Sequence, residues 1–246
     1  MKSINEIQEY ISSYKYKIEL HAHTNPCSGC SKLSPEEMMK KLKEHNYDAV
    51  VITNHFFYDH GDYLEAEDPI ATYLEDFYKC REIGEKEGIK VLLGAEHRFL
   101  ESKNDYLILG IDKEFLDKTL HRSDLTIESF YKEFHSEDIL IIQAHPYREN
   151  CGCFPVNPDC IDGIEIMNMH PGKLSENGFS AKYAASNNIS LLTIGTDLHH
   201  AEHVGISALR TKIIPENEKH LVQILKNKDY IFEIGGYPML PYCCQD

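Results

Sequence analysis

The sequence predicts an α/β barrel of about seven βα units with mostly parallel strands. Three observations carry this reading. Short apolar runs alternate with stretches of helical periodicity along the chain. Several apolar runs end in a metal-type ligand: His21 and His23, His55, Glu96, His145, Asp197 and His199. The length of 246 residues suits about seven units, since eight usually take roughly 250. An open doubly wound sheet is the competing architecture, but it gathers its site at one switch point. Here the polar residues come from both ends of the chain and must converge on one pocket, which favours a barrel. No internal repeat, low-complexity tract or linker interrupts residues 1–246, which read as one domain.

The elements follow in order. Residues 17–20 are a strand leading into His21-Ala22-His23. Side chains two apart on a strand share a face, so both imidazoles can reach one metal ion. Ser34-Pro35-Glu36-Glu37 opens a helix, with Ser34 as N-cap, Pro35 at the first position and Glu37 closing a capping box. Met38, Met39 and Leu42 then recur at helical spacing. Residues 48–53 are a buried strand ending at Asn54-His55, and 70–87 are a helix stopped by Gly88. Strands at 90–93 and 106–109 follow, the first leading to Gly94-Ala95-Glu96-His97. A helix at 127–134 precedes a strand at 139–142 that leads to Ala144-His145-Pro146. Next come a strand at 163–167, a helix at 181–187 and a strand at 191–194 that leads to Asp197-Leu198-His199. A helix at 216–227 and a strand at 230–232 close the chain.

Bulk properties narrow the function. The formal charge of −15 opposes binding to nucleic acid or anionic membranes, because phosphate contacts need Lys and Arg. A small anionic substrate remains compatible, since bound divalent ions reverse the local potential. The polar start of the chain carries no secretion signal, and the longest aliphatic runs are too short to span a bilayer. A cytoplasmic protein is expected, and its eight cysteines then read as reduced thiols. The spacings of Cys27 and Cys30, Cys151 and Cys153, and Cys243 and Cys244 do not match a zinc ribbon.

Taken in order, HxH, His55, Glu96, His145 and Asp197-x-His199 resemble the motifs of the PHP (polymerase and histidinol phosphatase) family. The resemblance runs from about Ile18 to Gly205 through five segments: Glu19-Leu20-His21-Ala22-His23-Thr24, Val51-Ile52-Thr53-Asn54-His55, Leu93-Gly94-Ala95-Glu96, Gln143-Ala144-His145-Pro146 and Gly195-Thr196-Asp197-Leu198-His199. It implies a distorted TIM-like (β/α)7 barrel and a metal-dependent phosphoesterase. It also implies two or three divalent ions, zinc, manganese or iron. His21, His23, Glu96 and Asp197 would hold one ion, and Glu96 would bridge to a second bound by His145. His55 and His199 would face a third position. The donor set agrees independently, because imidazoles suit transition metals and a bridging carboxylate holds two cations together. The expected nucleophile is a metal-bridging hydroxide, with no catalytic side chain, and the expected substrate a small phosphomonoester.

The chain departs from the family pattern in three places. Asn54 stands where an Asp is usual, and is read as supporting the ligands rather than binding metal. Cys27-Ser28-Gly29-Cys30 replaces a stretch where many members carry His or Asp, which leaves the third metal position open between a substituting cysteine thiolate and a packed loop, the packed loop being the preferred reading. Residues 106–110 lack a His that many members have there. Arg148 and His200 are the candidate substrate-binding residues, Arg148 because guanidinium pairs bidentately with phosphate. His170 follows a strand end near the same pocket, and His97 points to the opposite face from Glu96. His45, His60, His121, His135 and His220 lie in polar or helical contexts and read as ordinary residues. Two alternatives stand beside phosphoester hydrolysis. One is amidohydrolase-type chemistry using His145, His170 and Asp197; the other is a non-catalytic binding module.

Overall fold

The computed structural model describes residues 3–58, 61–148 and 151–241. His60, Cys243 and Cys244 lie outside the described residues. The elements in chain order are α1 (Ile4–Ser13), β1 (Tyr16–Ala22), α2 (Pro35–Glu44), β2 (Ala49–Ile52), β3 (His55–Phe56), α3 (Pro69–Tyr73), α4 (Glu75–Glu87), β4 (Lys90–Arg98) and β5 (Asp105–Leu109). Then follow α5 (Lys113–Thr119), α6 (Ile127–Phe134), β6 (Leu140–Gln143), β7 (Gly163–Asn168), α7 (Asn177–Ser186), β8 (Leu191–Gly195), β9 (Ser207–Thr211), α8 (Glu218–Lys226), β10 (Tyr230–Ile234) and β11 (Tyr237–Met239).

The capping box at α2 forms as expected. Ser34 Oγ accepts the Glu37 N–H at 3.2 Å, and the Glu37 carboxylate accepts the Ser34 N–H at 3.1 Å. Such a cap contributes about 1 kcal/mol. The single helix expected over 70–87 is two, α3 and α4, divided at Leu74, whose ψ of −5° leaves the ideal helical value. Helix α1 was not expected, although Ile4, Ile7 and Ile11 recur at helical spacing and Ser3 and Glu6 form a capping box; none of its residues is fully buried.

The strand order is β11-β10-β9-β1-β2-β4-β5-β6-β7-β8, with β3 paired to β4. The stretch from β1 to β8 along this path has seven strands. Its two ends meet where β1 and β8 run out: Leu198 N–H donates to His21 O at 2.9 Å and His23 N–H to Leu198 O at 3.0 Å. The sheet is therefore curled. Its pairing is mixed where mostly parallel strands were expected. β1–β2, β2–β4, β3–β4, β6–β7 and β7–β8 are parallel. β4–β5, β5–β6, β1–β9, β9–β10 and β10–β11 are antiparallel. The cause at β5 is simple. Only residues 99–104 separate it from β4, and a parallel crossover needs about a dozen or more.

Strand residues alternate between two apolar layers. Val50, Val91 and Ile108 join a cluster with Met38, Leu42, Phe77 and Phe130 from α2, α4 and α6. Val51, Leu92 and Leu107 join a second cluster with Ala184 of α7 and Leu221, Val222 and Leu225 of α8. Strands covered on both faces read as continuous apolar runs, which is why they were visible in the sequence. No helix among the described residues is long and apolar enough to cross a membrane.

Candidate metal centre

The HxH pair lies at the carboxyl end of β1, His55 opens β3, Glu96 lies near the end of β4, and His145, Asp197 and His199 follow β6 and β8. The curl of the sheet brings all seven together, five imidazoles around two carboxylates. Glu96 is the hub. Its Oε1 lies 3.2 Å from His21 Nε2 and 2.9 Å from His145 Nε2. Its Oε2 lies 3.3 Å from His23 Nε2 and 2.9 Å from His55 Nδ1. Asp197 Oδ1 lies 3.4 Å from both His21 Nε2 and His23 Nε2, and 3.2 Å from His199 Nδ1. Two donors held about 2.0–2.1 Å from one tetrahedral ion stand about 3.3 Å apart. The spacings here centre on that value.

Buried polar atoms give a second test of fit. His21 Nε2, His23 Nε2 and His55 Nδ1 are shielded from solvent and make no hydrogen bond of acceptable geometry. An unpaired buried polar group costs about 1–3 kcal/mol, which a bound cation would offset. Four overlapping donor groups arise: His21, His23 and Glu96; His21, His145 and Asp197; Glu96, Asp105 and His145; and His23, His55 and His199. Nitrogen and carboxylate donors of this kind fit zinc, manganese or iron.

Four of the five imidazoles must give up a proton to bind a cation. Burial lowers them, but neighbouring carboxylates and thiols outweigh it and raise His21 well above its usual range, His55 to about 10, and His145 and His199 to about 9. Burial, reinforced by the neighbouring His199 and His55, pushes the His23 imidazole well below its usual range, so it stays neutral. Burial opposes ionisation of Glu96. The imidazoles of His21 and His55 and the hydrogen bond from His145 outweigh it and hold the carboxylate well below its ordinary range. Asp197 behaves alike, burial being overcome by His21, by hydrogen bonds from His199 and His23, and by Arg148. The backbone is left-handed at His145 (φ 27°) and Asp197 (φ 55°). Such conformations cost about 1–3 kcal/mol and cluster at functional sites.

Sequence reasoning missed three contributors, Glu165, Glu19 and Asp105, and left a fourth, Cys30, open. Glu165 of β7 accepts from the His145 N–H at 2.8 Å and from Asn168 Nδ2 at 2.9 Å, and faces His21 Nδ1 at 3.1 Å. A carboxylate behind a ligating imidazole fixes its tautomer and orientation. Its signal was there, an acid inside the apolar run Gly163-Ile164-Glu165-Ile166. Glu19 of β1 accepts from the His21 and Thr196 N–H groups at 3.1 Å each, and burial pushes it up to about 7. Asp105, the first residue of β5, lies 3.7 Å from His145 Nε2 and is gripped at both oxygens by Arg98, each at 2.7 Å. Cys30 Sγ lies 3.1 Å from His199 Nε2.

Asn54 accepts from Thr24 N–H at 2.7 Å and from Ser28 Oγ at 3.0 Å, and donates to Thr24 Oγ1 at 2.8 Å. It braces the loop after HxH. His97 turns away from Glu96 into a nest of Phe56, Tyr58, Phe99 and Phe130. A cavity of about 410 Å³ opens over the centre, with Arg148, His170, Lys173 and His200 on its wall. Arg148 is partly committed: its Nη2 donates to Asn168 Oδ1 at 2.8 Å and pairs with Asp197. His200 is half-buried, 3.8 Å from Glu202.

The curled α/β sheet and its strand-end ligands define a class of metal-binding α/β domain. The comparisons narrow it: the chain belongs to the PHP domain family, whose model matches residues 19–234. Two solved structures are similar in fold. One is a two-domain protein containing a predicted PHP-like metal-dependent phosphoesterase from Bacteroides vulgatus ATCC 8482, with TM-score 0.58 and 16% identity over 89% of this chain. The chain covers 64% of that protein's length. The other is PsfC from Pseudomonas syringae PB-5123, with TM-score 0.59 and 18% identity over 85% of this chain and 87% of that one. No protein with a curated description matches.

Proposed function

We propose that this chain is a metal-dependent phosphoesterase that hydrolyses a small phosphomonoester. The observation that carries the reading is Glu96, each of whose oxygens faces two imidazole nitrogens, as a carboxylate shared between two cations requires. His21, His23, Glu96 and Asp197 would hold one ion, Glu96 and His145 a second, and His55 and His199 would face a third. Bound divalent ions would lower the pKa of a water and neutralise charge developing on the phosphoryl oxygens. Water, rather than a side chain, is then the attacking group.

The chain's own residues do the rest. Glu165 and Glu19 hold the HxH segment from behind, Glu165 through the His21 ring and Glu19 through the His21 N–H. Arg148 and His200 stand on the cavity wall where an ester phosphate would enter. Lys173 adds positive charge to that wall, whereas Arg98 is committed to Asp105.

The test is a screen of metal-stripped and manganese- or zinc-reconstituted protein against phosphomonoesters, phosphodiesters and amide or lactone substrates. The expected result is monoester hydrolysis that chelation abolishes and metal restores. Turnover confined to amides or lactones would establish the amidohydrolase alternative. Full metal loading with no turnover would establish a binding module.

A further inference from the structure

We propose that the alcohol half of the substrate carries an apolar ring, and that this ring lies in a second cavity adjoining the metal centre at His55. The proposal rests on the phosphoesterase reading above. It adds the chemical class of the leaving group and the residues that select it.

The position of the cavity is the first observation. It measures about 360 Å³ and lies between the 26–30 loop and the side chains of His55, Phe57, Tyr63 and Arg98. Cys30, His55 and Arg98 also line the cavity over the metal centre, so the two spaces share a wall. His55 joins them. Its Nδ1 lies 2.9 Å from Glu96 Oε2, while its ring stacks on Phe57 with centroids 4.7 Å apart. The breadth of one imidazole separates a phosphoryl group held at Glu96 from the second cavity.

The contrast in lining is the second observation. Among the described residues, the wall over the centre has no proline, phenylalanine, tyrosine or aliphatic side chain. It offers charge to a phosphate and little surface for the rest of an ester. The adjoining cavity supplies that surface in Pro26, Phe57 and Tyr63. Small-molecule sites combine the two, an apolar body and a few fixed polar groups.

The polar side chains of the second cavity are largely engaged already. Tyr63 Oη accepts the Phe57 N–H at 2.7 Å and donates to the Phe57 carbonyl at 2.8 Å. Ser28 Oγ accepts the His55 N–H at 2.9 Å and donates to Asn54 Oδ1 at 3.0 Å. Arg98 is held by both oxygens of Asp105. A polyol entering here would give up hydrogen bonds to water that these side chains do not replace, a cost that an apolar ring does not carry. Asp62, exposed on the same wall, disfavours a second anionic group. The wall is also preformed. The two Tyr63 bonds fix the Phe57 backbone, and the Arg98 guanidinium carbon lies 5.3 Å from the Phe57 ring centroid. Little ordering is then left for the moment of binding.

Calorimetric binding of benzylphosphonate and ethylphosphonate to the manganese-loaded full chain tests this. In both, a methylene stands for the ester oxygen and resists hydrolysis; they differ in the ring. Benzylphosphonate should bind about 10-fold or more tightly than ethylphosphonate, as burial of a ring against apolar walls gives. Its ring protons should show nuclear Overhauser contacts to Phe57. Gly29 lines the cavity, and a Cβ there meets no atom within 4 Å, so Gly29→Trp can fill the space without touching a ligand. That variant should lose most of the benzyl margin and keep the ethylphosphonate affinity. Should it fail to fold by circular dichroism, the contacts to Phe57 in the parent decide. Equal affinities in the parent, a full margin in folded Gly29→Trp, or ring contacts away from Phe57 overturn the proposal, and monoester hydrolysis in the screen then leaves the phosphoesterase reading standing. Ring-selective binding with no hydrolysis of any phosphomonoester overturns that reading and keeps the ring site. A chain that binds neither phosphonate overturns the proposal.

Discussion

Glu165 shows how one residue acts on the centre without facing the cavity. Its Oε1 lies 3.1 Å from His21 Nδ1, so the other ring nitrogen is presented toward Glu96 and Asp197. Glu165→Gln keeps the shape and removes the charge. Metal affinity should fall by about 10–100-fold, as for other residues behind ligating histidines. Chelator competition reads this, and an unchanged affinity would refute the orienting role. His97 gives a prediction on stability. Burial pushes its imidazole down to about 4, only partly offset by the hydrogen bond to the Phe56 carbonyl. Above about pH 6.5 the ring is neutral in both folded and unfolded chains. As pH falls toward 4 the unfolded chain takes up the proton first, so stability is lost, by about 3 kcal/mol over that window. In urea unfolding of metal-free protein, His97→Gln should show a shallower loss between pH 7 and 4 than the parent. An identical pH slope would contradict this. The ligands themselves were legible because each His or acid closes an apolar run. Cys30 stood open between a thiolate ligand and a packed loop, because sequence does not show which thiol of a CxxC turns to the histidines.

At the level of elements, strand existence was legible and strand direction was not. The runs at 90–93 and 106–109 were found, yet no helical pattern separates them, and a short link permits only an antiparallel pair. The consequence reaches the site. Because β5 is reversed, its first residue, Asp105, and not its last, lies beside His145. A search for ligands at strand ends overlooks it. β8 shows the converse, a close approach that only glycine permits. A Cβ on Gly195 would lie 2.4 Å from Glu165 Oε1 and 2.7 Å from His21 Cβ. Gly195→Ala should therefore cost about 1–3 kcal/mol by overpacking. It should also reduce the thermal stabilisation conferred by added metal, although no ligand is altered. Full metal-induced stabilisation in Gly195→Ala would show that β8 does not set the position of His21.

The chain as a whole carries a formal charge of −15, and its cavity sets Arg98, Arg148 and Lys173 beside Glu96, Asp105 and Asp197. The proposed chemistry depends on one carboxylate serving more than one ion. Elemental analysis of metal per chain, in the parent and in Glu96→Ala, tests this most directly. The parent should retain at least two equivalents of zinc or manganese after dialysis, and Glu96→Ala should lose more than one of them. A parent that retains none, or a Glu96→Ala variant that keeps the parent's full content, would contradict a shared centre at Glu96.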